Sequence, residues 1–243
     1  MNTINASKNL AIVNKLAQAN HVIDKFISSC SHSMRGPLKT IQGLVNLVSK
    51  EENTEVKDSN HMLELIQKTA DQMEHVLIEL EEFLENSKTD LKVDEVDVSE
   101  IISELQNRFH EDLEERSIEC SFQVSKNTKL VTDKTRLTTI LSHILSNAIN
   151  YYDPGKVKRR IWIDVRIFSS SYEVSIKDNG IGIASTCVSK IFHPFYKGTE
   201  KSKGAGIGLY VVKEVIEKMK GLISVQTRLN AGTDFLVWLP NLN

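Results

Sequence analysis

Two glycine-rich stretches decide the fold, DNGIGI at residues 178–183 and KGAGIGLYVVKEV at residues 203–215. The first places Asp178 at the end of a predicted strand, and the second places its glycines at the start of a predicted helix. Glycine lets backbone N–H groups come close to an anion, and a helix N-terminus adds partial positive charge. One such cluster is a weak indication, because glycine turns before helices are common. The two in succession predict a site for nucleotide phosphates.

The sequence around these stretches alternates between strand-like and helical patterns. Strand-like runs occur at 161–168, 172–178, 222–227 and 233–239, and helical patterns occur at 99–116, 133–151 and 205–220. Asp133 is a suitable N-cap for the second helix of this set. Trp162 and Trp238 fall in strand-like runs and are expected in the core. We therefore predict a mixed α/β domain over residues 91–243.

The N-terminal part has a different pattern, in which apolar residues recur at alternating spacings of three and four over 12–30 and 63–84. Such seams are typical of bundle-forming helices, and the polar stretch 49–60 between them predicts an antiparallel hairpin. A single hairpin cannot bury both seams, so we predict a homodimer through the N-terminal helices over 1–90. The alternative is that the two helices pack on the rest of their own chain.

Charge, hydropathy and cysteine content limit the kinds of partner. Lys plus Arg total 30 against 32 for Asp plus Glu, and a net charge of -2 argues against nucleic acid as partner. No apolar run approaches the roughly 20 residues of a membrane helix, so we expect no membrane contact from this segment. The three cysteines lack zinc spacing, and the N-terminus lacks the pattern of a signal peptide. We therefore predict a cytoplasmic protein.

Two helical stretches carry side chains suited to phosphate chemistry. His32 shortly precedes Pro37, and a proline inside a helix usually marks a kink. The apolar spacing places His32 on the flank of the bundle, where its imidazole could act as a nucleophile, although a solvated surface histidine is the alternative. Asn147 shares a helix face with His143 and Tyr151, and its carboxamide could bind a magnesium ion that also holds phosphate oxygens.

Taken in order, these elements resemble the catalytic core of a sensor histidine kinase from two-component signalling. The family's six boxes are matched by SHSMRGPL (31–38), HILSNAINYY (143–152), DNGIGI (178–183), IFHPFYKG (191–198), GAGIGL (204–209) and GTDFLVWLP (232–240). The resemblance covers nearly the whole chain. It implies an N-terminal α-helical hairpin forming a dimeric four-helix bundle, followed by an α/β sandwich ATP-binding domain of the GHKL or Bergerat type.

The resemblance also implies roles for individual residues. His32 is the implied phosphoacceptor, Asn147 the Mg²⁺ ligand, and Asp178 the partner of the adenine amino group of ATP. Residues 183–203 are the implied mobile lid. The implied catalytic set is His32, Ser33, Arg35 and Pro37. The implied ATP-contacting set is Asn147, Tyr151, Asp178, Gly180, Gly182, Ile183, Phe192, Phe195, Lys197, Lys203, Gly204, Gly206, Gly208, Leu209 and Thr233.

The implied function is a phosphorelay. A kinase of this family uses MgATP to phosphorylate its own histidine, here His32, and passes the phosphoryl group to an aspartate of a response-regulator receiver domain. An upstream sensor domain normally precedes the box that holds the phosphoacceptor, here 31–38, and we expect it to be missing from this chain.

Four positions depart from the family's pattern. Ser33 stands where an acidic residue is usual, and Gly36 stands where a threonine or asparagine is usual in kinases that also dephosphorylate their partner. His143 replaces a usual asparagine, and Asn150 replaces a usual lysine or arginine. Because a hydroxyl is a poor base and glycine cannot orient a water molecule, we expect reduced kinase activity and weak or absent phosphatase activity.

Two other functions remain as alternatives. A chaperone, gyrase or mismatch-repair type ATPase would need a glutamate four residues before Asn147, where this chain has His143. A partly degenerate kinase could instead act as a dimeric nucleotide-binding scaffold or phosphotransfer protein. Retention of Asn147, Asp178 and the loop glycines argues against the loss of nucleotide binding in that case.

Overall fold

The computed structural model describes residues 28, 31, 34–49, 56–125, 129–198 and 206–242. The chain divides into two compact units, Met1–Leu80 with Lys203–Ile207, and Glu81–Ser202 with Gly208–Asn243. Among the residues described, no helix combines the length and the apolar character needed to cross a membrane.

The first unit is helical. Residues 34–49 form helix α1, and Val56–Lys88 form helix α2, whose last two turns belong to the second unit. On α2 the seam residues Leu63 and Leu77 are 57% and 45% exposed in the single chain. The turn between α1 and α2 and most of the first seam lie outside the described residues. The helical N-terminal region is therefore confirmed, whereas the hairpin and its pairing with a second copy stay predictions.

The second unit contains the predicted α/β domain. Its elements are β1 (Asp94–Val96), α3 (Val98–Glu115), β2 (Ile118–Val124), β3 (Leu130–Thr132), α4 (Lys134–Asn150), β4 (Arg159–Ile167), β5 (Ser171–Asp178), α5 (Ser185–Val188), α6 (Gly208–Lys218), β6 (Leu222–Arg228) and β7 (Gly232–Pro240). Five strands form one sheet in the order β2-β4-β5-β7-β6, with β2 parallel to β4 and the other pairs antiparallel. β1 pairs with β3 in a separate antiparallel ribbon.

One face of the sheet is covered by helices. Helices α3, α4 and α6 contact one another in sequence, and each also contacts a strand of the sheet. On β4 the inward side chains of Ile161, Ile163 and Val165 are at most 2% exposed. Helix α6 carries Val211 and Val215 one turn apart, and both are buried. The result is a two-layer α/β sandwich, as expected.

The side chains on the other face of β4 are more exposed, which corrects one prediction. Successive strand residues point to opposite faces, so Trp162 lies opposite the buried side chains of β4 and is 39% exposed. Its expected place in the core is therefore wrong. On β7, Trp238 is half-buried, and its indole N–H donates to the Glu173 carboxylate at 3.0 Å.

Arg136 holds the end of α2 against α4 inside the second unit. Asp133 is the N-cap of α4, as predicted, and its side chain accepts from the Arg136 backbone N–H at 3.0 Å. The Arg136 guanidinium also bonds the Asp133 carboxylate and donates to Asn86 Oδ1 at 2.9 Å and to the Thr89 carbonyl at 2.8 Å. Arg136 and Asp133 are 6% and 2% exposed, so this charged pair is buried.

Candidate nucleotide-binding site

The first glycine cluster forms a tight loop at the end of β5, and Asp178 is its anchor. Asp178 Oδ1 accepts hydrogen bonds from the backbone N–H of Gly180 at 2.7 Å and of Thr233 at 3.3 Å. Burial raises the pKa of the Asp178 carboxyl to about 6, while the two N–H donors and the charge of Lys156 act in the opposite direction. The second carboxylate oxygen is therefore the one left to accept from a ligand.

The glycines of this loop are required by close backbone contacts. Gly182 and Gly232 have φ of +68° and +122°, a region that L side chains rarely adopt. A Cβ at Gly182 would collide with the Arg228 carbonyl, and one at Gly232 would collide with the Asp178 carbonyl. The loop and the β6–β7 turn therefore pack backbone against backbone.

The C-terminal end of α4 supports the same loop. The Tyr151 carbonyl accepts from the Ile181 N–H at 3.0 Å, and a Cβ at Gly180 would collide with that carbonyl. Tyr151, predicted as an ATP contact, thus reaches the loop through its backbone, and its side chain is half-buried.

Two residues of the loop's support were missed in the sequence. Thr227 Oγ1 accepts from the Ile183 N–H at 2.9 Å and lies 3.1 Å from Thr233 Oγ1. Lys156 Nζ donates to three carbonyl oxygens, those of Asn179, of Gly180 at 3.3 Å and of Asn230 at 3.1 Å. The stretch DPGK at 153–156 predicts only the end of a helix, and nothing in its pattern indicates a contact with a loop more than twenty residues later.

Asn147 lies on α4 with its side chain half-buried. Its backbone carbonyl accepts from the Tyr151 N–H, and in the described part of the chain no side-chain hydrogen bond holds its carboxamide. An amide oxygen of this kind is a ligand that Mg²⁺ accepts, so the residue present fits a magnesium ion shared with phosphates.

His143, one turn earlier on α4, has a protein partner instead. Its Nε2 lies 2.6 Å from Glu82 Oε2 at the end of α2, and its side chain is 9% exposed. The structure thus ties His143 to the last turns of α2, a contact between residues 61 positions apart in the chain.

The second glycine cluster precedes a helix, as predicted. Helix α6 begins at Gly208, with Leu209 in its first turn, and Gly206 has φ of +74°. Lys203 and Gly204 lie outside the described residues. In the predicted lid, α5 is followed by turns in which Phe192 and Phe195 are half-buried and Lys197 is exposed.

The predicted phosphoacceptor His32 and its neighbour Ser33 also lie outside the described residues. Arg35 is exposed and Pro37 is half-buried on α1. The structure therefore brings Asp178, Gly180, Gly182, Ile183 and Thr233 together by shared contacts. The other predicted members of the site keep the status of predictions.

Comparison with known proteins shows which family the ATPase-like part of the chain matches. Residues 132–243 match the family described as Histidine kinase-, DNA gyrase B-, and HSP90-like ATPase. The sensor histidine kinase ZraS of Salmonella typhimurium is 30% identical over 214 residues, which are 86% of this chain and 44% of ZraS. The chain spans 26% to 44% of the length of such curated relatives.

Solved structures show the same fold. The Acinetobacter baumannii histidine kinase AdeS has a TM-score of 0.69 at 20% identity, covering 87% of this chain and 98% of that chain. The histidine kinase ThkA in complex with the response regulator TrrA has a TM-score of 0.68 at 23% identity, covering 87% of this chain and 59% of that chain. A helical region followed by an ATPase-type α/β sandwich is common to all of them. The chain is therefore similar to sensor histidine kinases along most of its length, and its residues 132–243 belong to the histidine kinase-, DNA gyrase B- and HSP90-like ATPase family.

Proposed function

We propose that this chain is an ATP-dependent protein histidine kinase that phosphorylates His32 and passes the phosphoryl group to an aspartate of a receiver domain. The observation that carries the proposal is the loop of Asp178, whose free carboxylate oxygen lies beside backbone turns that admit only glycine. This arrangement suits a purine amino group, and the ATPase family of residues 132–243 supports ATP as the nucleotide.

Different residues of the proposed site contact different parts of MgATP. Asp178 accepts from the adenine amino group, with Gly180, Gly182 and Thr233 fixing its position. The start of α6 presents backbone N–H groups to the phosphates, and Lys197 adds a cation from the lid. Asn147 would hold the magnesium ion, which would neutralise charge on the phosphate oxygens. Ile183, Phe192, Phe195, Lys203, Gly204, Gly206, Leu209 and Tyr151 complete the proposed nucleotide contacts.

His32 supplies the nucleophile. A ring nitrogen forms a bond to the γ-phosphorus as the bond between that phosphorus and the ADP oxygen breaks. Arg35, Pro37 and Ser33 surround the acceptor in the sequence. Because Ser33 offers no carboxylate, the imidazole proton passes to solvent water. Transfer therefore depends on positioning and charge neutralisation, and we expect it to be slow.

Partner and assembly proposals follow from the same core. The exposed seam residues Leu63 and Leu77 support a homodimer through the N-terminal helices 1–90, ahead of an ATP-binding domain over 91–243. ThkA is known in complex with the response regulator TrrA, which supports a receiver domain as partner here. We further propose a cytoplasmic location and an input from a separate or upstream sensor.

The test is incubation of the purified chain with γ-labelled ATP and Mg²⁺. We expect label that is lost in acid and kept in alkali, because phosphohistidine has that stability pattern, and we expect no label in His32→Gln. His61→Gln is the matched control, since His61 is an exposed histidine on α2 with a side chain 71% exposed. Label that persists in His32→Gln would overturn the assignment of the phosphoacceptor.

A second function is favoured by two side-chain environments. Asn150 Nδ2 donates to Ser146 Oγ at 3.2 Å and carries no charge for a phosphate, and His143 is engaged by Glu82. A partly degenerate kinase acting as a nucleotide-binding scaffold or phosphotransfer protein would fit them. An ATP-dependent rise in melting temperature without any label on His32 would favour this second function. Gly36 also leads us to expect little phosphatase activity.

A further inference from the structure

We propose that Lys156 is a positioning residue for the nucleotide base, which joins the Asp178 loop to the β6–β7 turn and thereby sets the preference for a 6-aminopurine. This inference rests on the proposed binding of ATP at Asp178. The residue lies in the connection between α4 and β4, outside every box that carries the family resemblance.

The first support is the geometry of the Lys156 ammonium group. Its three N–H donors match three carbonyl acceptors, two from the loop at Asn179 and Gly180 and one from the turn at Asn230. Hydrogen bonds from a charged donor are stronger than neutral ones. The Lys156 side chain is half-buried, so these bonds are partly withdrawn from solvent.

The second support is that the bonded segments also bond each other. The Asn230 N–H donates to the Ile181 carbonyl at 2.7 Å, and Asn230 itself has φ of +62°. The Asn179 side chain accepts from the Arg160 N–H at 2.8 Å and donates to the Lys158 carbonyl at 2.8 Å. Lys156 therefore lies at the centre of a backbone network that fixes the position of Asp178, the residue just before Asn179.

The third support is charge. The ionisable side chains that act on Asp178 are Lys156, which favours the carboxylate, and Asp234 on β7, which opposes it. The N–H groups of Gly180 and Thr233 also favour the carboxylate. Lys156 is thus the single cation set against burial and against Asp234 in the part of the chain that the structure describes.

The state of Asp178 decides which base it can bind. A carboxylate only accepts hydrogen bonds, so it pairs with the 6-amino group of adenine and repels the 6-oxo group of guanine. A carboxylic acid can donate to that 6-oxo group. By holding Asp178 as a carboxylate, Lys156 favours ATP over GTP, and the preference should weaken when its charge is removed.

The experiment compares Lys156→Met with Lys156→Arg and with the matched control Lys158→Met, whose side chain is exposed two residues away. Dissociation constants of ATP and GTP are measured by calorimetry on the whole chain between about pH 5 and pH 8. In Lys156→Met we expect ATP binding about tenfold weaker at neutral pH, a smaller ratio of ATP to GTP affinity, and a midpoint of the pH dependence moved to higher pH. Lys156→Arg should recover the wild-type midpoint, and Lys158→Met should match the wild type throughout.

The outcomes separate this inference from the proposed function. Protonation of the nucleotide itself is the same for every variant, so differences between variants report the protein. If the wild type binds ATP and Lys156→Met keeps both its pH midpoint and its ATP to GTP ratio, the role of Lys156 is refuted. If the wild type binds no ATP, the proposed function is refuted, and the inference that rests on it is refuted with it. Should Lys156→Met not fold, Lys156→Gln with an unchanged midpoint would refute the inference equally.

Discussion

Replacement of Asp178 by asparagine should weaken nucleotide binding and at the same time make the protein more stable at neutral pH. Both backbone donors, Gly180 and Thr233, bond the same oxygen, Oδ1, which an asparagine side chain also has. The substitution therefore keeps the loop's hydrogen bonds while removing a buried charge. Loss of a charged acceptor for the adenine amino group should weaken ATP binding about 10- to 100-fold.

The size of the stability gain follows from the pKa of Asp178, raised from 3.8 to about 6 by burial. Between these values the native state binds more protons than the unfolded state, so the free energy of unfolding falls as pH rises. A shift of this size makes the free energy of unfolding about 3 kcal/mol lower above about pH 7 than below about pH 4. Asparagine does not titrate, so Asp178→Asn escapes this loss.

Thermal unfolding at several pH values tests this reasoning. For a domain of this size about 3 kcal/mol corresponds to a melting temperature about 6–12 °C higher at neutral pH, with the difference disappearing near pH 4. An Asp178→Asn protein that is less stable than the wild type at pH 8 would refute it. So would a difference in melting temperature that does not change with pH.

Three further substitutions test other contacts. Arg136→Ala should lower the free energy of unfolding, measured in urea, by about 3–5 kcal/mol, because it leaves a buried carboxylate unpaired. Arg166→Ala, which removes a side chain that is 61% exposed beside Asp164, should cost less than about 1 kcal/mol. Gly232→Ala should cost about 2 kcal/mol or more and abolish ATP-induced thermal stabilisation, while Gly43→Ala on α1, where an added Cβ meets nothing within 4 Å, should do neither. Tyr172→Phe should cost about 1–2 kcal/mol in the same unfolding assay, because its fully buried hydroxyl has a hydrogen-bond partner at 2.7 Å.

The sequence predicted the elements whose signals are local. Asp133 before a run of apolar residues predicted the start of α4, and the structure has that cap. The glycine cluster predicted a helix over 205–220, and the structure has a helix there that begins at Gly208. The strands β1 and β3 have three residues each, too short for an alternating pattern to be visible, and they were not predicted. The seven-residue strand β2 was not predicted either.

Contacts between distant parts of the chain could not be predicted from such patterns. Lys156 meets its carbonyl partners only because β4 and β5 return the chain to the end of α4, and backbone acceptors leave no trace in the sequence. The sequence places His143 on the same face of α4 as Asn147, but it does not show the partner of His143, Glu82, which lies on another helix. Trp162 lies in a strand-like run, but the run alone does not show which face of the sheet the helices cover.

The attachment of the end of α2 to α4 limits where hybrid proteins that combine domains of different chains can be joined. A junction placed at residue 91 would transfer Arg136 and His143 without Asn86 and Glu82, the side chains they bind. Such a hybrid would carry a buried guanidinium and a buried imidazole facing foreign residues. A junction upstream of residue 81 would carry the two partners along, so the practical modular boundary lies within α2, about two turns before its end, and not in the loop that follows it.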